Sequence, residues 1–65
     1  MNKTEIGQAI ANERIRQGIT IRKMAELANT TTRAVQAVEK GWYNVGIETY
    51  LKLAETLNLS LKVGE

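Results

Sequence analysis

The sequence predicts a small all-α domain of four short helices in series, closed by one C-terminal β-strand. Three observations predict it. Apolar residues recur at i, i+3, i+4 spacing in four separate segments. Gly or Asn follows each segment, and Pro is absent from all 65 residues. The last apolar residues, Leu59, Leu61 and Val63, instead alternate with polar neighbours, which is the period of a strand. A chain of this length is expected to form one domain over residues 1–65, with a strand-like dimerisation tail at 59–63. Such a chain buries only about 60% of its unfolded surface and is expected to be marginally stable alone.

The first helix is expected over residues 4–17. Thr4 is a suitable N-cap, and Glu5 puts an acid in the first turn where the helix dipole favours it. Ile6, Ala9 and Ile10 share one face, and Gly18 can end the helix in a left-handed turn. The second is expected over residues 21–28, capped by Thr20. Met24, Ala25 and Ala28 make its narrow apolar stripe. Asn29-Thr30 breaks the pattern, because Asn is second to Gly in tolerating positive φ. The third runs over residues 32–40, capped by Thr31 and ended by Gly41. Val35 and Val38 point one way; Thr32, Arg33, Gln36 and Lys40 point elsewhere. Residues 42–46 form a loop. The fourth helix covers residues 47–57, with Ile47, Tyr50, Leu51, Ala54 and Leu57 at helical spacing and Asn58 as terminator.

Composition excludes whole classes of function. The chain has neither Cys nor His. That removes disulfides, thiolate or imidazole metal sites, and Ser-His or Cys-His nucleophile pairs. Seven scattered acids and no phosphate-cradling Gly-rich loop leave no catalytic constellation, so neither an enzyme nor a cofactor or metal is expected. Apolar residues at 43% and charged ones at 25% are a soluble globular balance. No apolar run approaches the ~18 residues of a membrane span. The N-terminal residues lack a signal-like apolar stretch, so the expected compartment is the cytoplasm.

The net charge of +2 is small, but its distribution is not even. Arg14, Arg16, Arg22, Lys23, Arg33 and Lys40 stand against Glu26 and Glu39, a net +4 over residues 14–40, while each flank carries −1. A basic middle is what a nucleic-acid footprint would require, and also what an ordinary solvated helix surface can carry.

Two short helices joined by Ala28-Asn29-Thr30-Thr31 make a helix-turn-helix candidate. The crossing needs a small residue on its first helix (Ala25), a residue tolerant of φ > 0 in the turn (Asn29), and apolar anchors on its second helix (Val35, Val38). The outer residues of that second helix can then enter a DNA major groove, which is wide enough for an α-helix.

In these residues the chain resembles the lambda-repressor-like, Cro/XRE-type helix-turn-helix family. Ile6-Gly7, Ile10, Arg14 and Gly18-Ile19-Thr20 look like that family's first helix and its exit. Met24-Ala25, Ala28 to Thr31, Val35 and Val38 to Gly41 look like its helix-turn-helix and closing Glu-x-Gly. Tyr50, Leu53-Ala54 and Leu57-Asn58-Leu59 look like the next helix. The likeness extends in one register from about residue 6 to 60. Two positions depart: Ile21 stands where the family usually has a phosphate-touching Gln, and Asn29 where the turn usually has Gly.

The resemblance implies base contacts from Thr32, Arg33, Gln36 and Ala37. Side-chain chemistry agrees in part: Arg pairs with guanine, Gln with adenine, and a Thr or Ala methyl touches the thymine methyl. Phosphate contacts would come from Thr31, Lys40, Trp42 and Asn44. Arg22 and Lys23 open the second helix against its dipole, which either a phosphate or plain solvation would accommodate. Trp42 is open to two readings, core packing or an indole N–H offered to phosphate. The resemblance also implies a structural ion pair between Arg14 and Glu39.

The tail also has two readings, a frayed terminus or a ribbon in which Leu59, Leu61 and Val63 of two copies pair over the helices. A two-fold homodimer would set two recognition helices about 34–36 Å apart, one turn of double-stranded DNA. The expected function is a sequence-specific DNA-binding transcriptional regulator, a repressor acting as a homodimer on a palindromic operator. The alternatives are an antitoxin that also binds a toxin and represses its own operon, or a protein-interaction module without DNA binding. Ile21 and the small net charge favour the module; the basic middle opposes it.

Overall fold

A computed structural model describes residues 2–42 and 45–59 of the chain. It contains four helices: α1 (Lys3–Arg16), α2 (Ile21–Leu27), α3 (Thr32–Lys40) and α4 (Ile47–Thr56). Helix α3 is the hub, packed most extensively on α1 and α2, and α4 touches all three.

The N-caps of α2 and α3 are local matters of sequence. Thr20 Oγ1 accepts from the Lys23 amide at 3.0 Å, and Thr31 Oγ1 from the Ala34 amide at 3.0 Å. Helix α1 differs from expectation. Its N-cap is Asn2, not Thr4: the Asn2 side chain accepts from the Glu5 amide at 2.8 Å while Glu5 Oε1 accepts from the Asn2 amide at 3.0 Å. This reciprocal pair satisfies two amides where Thr4 alone would satisfy one, and the helix starts earlier as a result.

All four helices end the same way. The terminating residue sits at positive φ: Gly18 at 73°, Asn29 at 54°, Gly41 at 64°, Asn58 at 61°. The next amide then reaches back five residues: Ile19 to Arg14 O, Thr30 to Ala25 O, Trp42 to Ala37 O and Leu59 to Ala54 O, at 2.8–3.2 Å.

The core is built from Ile6, Ile10, Met24, Ala25, Ala28, Val35, Val38, Tyr50, Leu53 and Leu57. Ile19, Ile21, Val45 and Leu59 cover its edges. The inner face of α4 is rotated from the expected one. Leu53 is fully buried, while Leu51 is 44% and Ile47 37% exposed. The neighbours of α4 cover only one side of its wide apolar stripe.

Gly7 does not interrupt α1. A Cβ there would run into the Val38 carbonyl oxygen of α3, so the missing side chain is what lets the two helices approach. The expected strand is not found among the described residues. Leu59 uses its amide to close α4 and packs on its own chain's core. Leu61 and Val63 lie outside the described residues.

Candidate nucleic-acid interface

The α2–turn–α3 unit is assembled from small residues and one left-handed turn. Ala25 and Ala28 are 4% and 3% exposed at the crossing, and Asn29 turns the chain at φ 54°. Val35 and Val38 are buried on the inner side of α3. This fixes which side of α3 faces out: Thr32, Arg33 and Lys40 are exposed and Gln36 is half-buried.

The unit is braced from behind by α1. The Arg14 guanidinium donates through Nε to Glu39 Oε2 at 2.7 Å and through a terminal nitrogen to Glu39 Oε1 at 3.1 Å. Its other terminal nitrogen donates to the Ile19 carbonyl at 2.7 Å. One side chain thus ties the end of α3 to α1 and to the exit of α1. The two side chains are only 12% and 7% exposed, so the two-pronged pair fixes an angle as well as a distance.

Beside the outer face of α3 lies a small open cavity of about 250 Å3, between the start of α3, the chain before α4 and the first turns of α4. Thr31, Arg33, Ala34, Ala37, Val45 and Thr49 line it. Its Val45 wall is held by Lys3, whose Nζ donates to the Val45 carbonyl at 2.6 Å and stands 5.8 Å from the Tyr50 ring centroid.

A family model described as helix-turn-helix matches residues 10–63. The chain belongs to the lambda-repressor-like helix-turn-helix family. It is a DNA-binding regulator of the Cro type. No curated protein matches it.

Within this helix-turn-helix frame the residues singled out in the sequence are not placed alike. Thr32, Arg33 and Gln36 lie together on the outer side of α3. Ala37 does not share that open face. It is 2% exposed and lines the cavity together with Val45. Helical periodicity does not show how far neighbouring elements cover a one-carbon side chain.

Among the residues expected at phosphate, Thr31 spends its oxygen lone pair on the α3 cap and keeps its hydroxyl proton for a further acceptor. Arg22 and Lys23 are exposed at the start of α2, and Lys23 Nζ lies 3.8 Å from Glu26 Oε1. Trp42 is 56% exposed, so it is not a core residue, and the Lys40 ammonium sits 5.2 Å from its ring centroid. Asn44 lies outside the described residues. Ile21 is half-buried against the core, which gives an apolar residue a packing role at the family's Gln position.

The basic middle is less open than the bare sequence implies. Arg14 is paired with Glu39, Arg16 with Glu13, and Lys23 lies near Glu26. Arg22, Arg33 and Lys40 are exposed beside the helix-turn-helix. No cluster of three or more acidic side chains suited to a metal ion occurs among the described residues. No helix among them is long and apolar enough to cross a membrane.

Sequence reasoning missed Lys3, Ala34, Val45 and Thr49. Lys3 reaches Val45, and Ala34 shares a cavity with Val45 and Thr49, only through contacts distant in sequence. The one available signal was Lys3 itself, a cation in the first turn of a helix, where the dipole disfavours it.

Proposed function

We propose that this regulator is a repressor that binds a palindromic operator as a homodimer in the cytoplasm, with Thr32, Arg33 and Gln36 reading bases. The observation that carries the reading is the pose of α3. Its inner residues Val35 and Val38 are locked in the core while Thr32 and Arg33 stand exposed at its N-terminal end. That is the end a recognition helix directs at base edges. Lys40 and Trp42 at the other end, with Thr31, Arg22 and Lys23, supply donors and charge for phosphates. The dimer would be joined through the chain beyond Leu59. The proposal includes no catalytic role.

Selection of random-sequence duplex DNA by the purified protein at physiological salt tests the reading. The expected result is a two-fold symmetric motif with half-sites about 10 bp apart. Arg33→Ala should then relax the preference at one base pair and cost about 1–3 kcal/mol. Lys40→Ala should weaken all sequences alike and lower the salt slope by about one. Identical behaviour of the two variants on selected and random DNA would sink the assignment of α3 as the reading helix. Deleting residues 60–65 should leave a monomer that binds the operator weakly; a dimer unchanged by the deletion would remove the tail from the interface.

A further inference from the structure

Lys3 is the first residue of α1, where a cation opposes the helix dipole. Its ammonium is used across the fold instead. Nζ donates to the Val45 carbonyl at 2.6 Å, over 42 residues of sequence, and stands 5.8 Å from the Tyr50 ring centroid. Tyr50 is 1% exposed, so its ring is a fixed support. The far end of this tether matters as much. Val45 packs against the core and lines the cavity beside α3 together with Arg33. Helix α1 therefore holds two sides of that cavity. Gly7 and the Arg14–Glu39 pair seat α3 on it, and Lys3 seats Val45 on its first turn.

We propose that Lys3 is a positioning residue for Arg33, acting through Val45, and that it sharpens base preference without touching DNA. The inference rests on the reading of Arg33 as a base contact. An arginine lays its methylene stem along apolar surface and extends its charged head beyond it. A Val45 wall fixed to α1 limits the stem before DNA arrives, so less side-chain freedom is lost on binding. That gain appears only where the guanidinium finds its base. On random sequence Arg33 has no fixed pairing, and the wall adds little. A lysine that touched phosphate would act in the opposite way, alike on every sequence and through the salt dependence.

The test compares the full chain with Lys3→Met and Lys3→Arg on the selected motif and on random duplex. Binding is read by anisotropy of labelled DNA over a salt series. Met keeps an unbranched stem and a high helix propensity but loses the donor and the charge, whereas Arg keeps both. Lys3→Met should lose about fivefold on the motif and less than about twofold on random DNA, with the salt slope unchanged. Lys3→Arg should stay within about twofold of the wild type on the motif. The Tm of Lys3→Met should move by less than about 3 °C, because the lost bond is exposed and the dipole is relieved. In an Arg33→Ala background Lys3→Met should cost less than about twofold, and in a Lys40→Ala background the full loss should remain. Equal losses on both DNAs, with the slope lower by about one, would put Lys3 at a phosphate and overturn the proposal. So would a loss on the motif that survives Arg33→Ala, or no loss at all. In each of these cases the wild type still selects its motif and the regulator reading stands. If Arg33→Ala alone leaves base preference intact, the base-contact reading falls and takes this inference with it.

Discussion

The two flanks of the domain are built to different tolerances. On one, α1 lies against α3 with a glycine where any side chain would meet backbone, and a two-pronged Arg14–Glu39 pair locks the approach. On the other, α2 and α4 leave an open groove of about 550 Å3, in which Leu27 and Leu51 stay about half exposed. That flank has Lys52 Nζ donating to the Asn29 carbonyl at 3.3 Å, an exposed contact. The contrast shows where precision is needed. The closed flank sets the pose of α3, the helix proposed to meet DNA, and on that proposal errors there would be carried to the base edges. The open flank closes a core and can be looser.

The largest effect should come from Gly7→Ala. Helix propensity alone would make alanine better by about 1 kcal/mol. The clash with the Val38 carbonyl should reverse the sign, for a net loss of about 3 kcal/mol in urea unfolding. A stabilised Gly7→Ala protein would break the comparison outright. Next comes Arg14→Met, which strands the nearly buried Glu39 carboxylate and the Ile19 carbonyl; a loss of about 2 kcal/mol is expected, with weaker operator binding beyond what stability explains. The double variant Leu27→Lys, Leu51→Lys on the open flank should change stability by less than about 0.5 kcal/mol. A large loss there would mean the groove is filled in solution.

The smallest effect concerns pH. The Arg16 guanidinium, and then the Gln17 amide, hold the Glu13 carboxyl down to about 2 from its usual 4.5. A lowered folded-state pKa means that its stabilisation is complete above pH 4.5 and fades as pH falls toward 2. Glu13→Gln should flatten the Tm profile in that window. The group is at the surface, so the difference should be small.

Local chemistry was legible in the sequence, and distant contact was not. Thr20 and Thr31 cap the helices they precede, and Asn29 and Asn58 take left-handed turns, because each depends on a few neighbouring residues. The Asn2–Glu5 capping box was equally local, but Thr4 was a competing cap two positions too late. Gly7 reads as punctuation until α3 is laid across it. Leu51 carries the right period for the core, yet period sets a direction and not the width of what covers it. Ala37 fails for the complementary reason, since it is buried although its period points it outward. Arg14 and Glu39 are 25 residues apart, and only likeness to a family brought them together.

The exposed ring beside Lys40 gives the molecule an optical gauge of its own. Trp42 is the chain's single tryptophan, and it is already more than half in water in the folded state. Unfolding changes its surroundings little, so its emission should barely register the loss of the core. A phosphate drawing the Lys40 ammonium off the indole face would change them at once. The same fluorophore is then nearly blind to denaturation and sensitive to docking, and an unlabelled titration can tell the two apart.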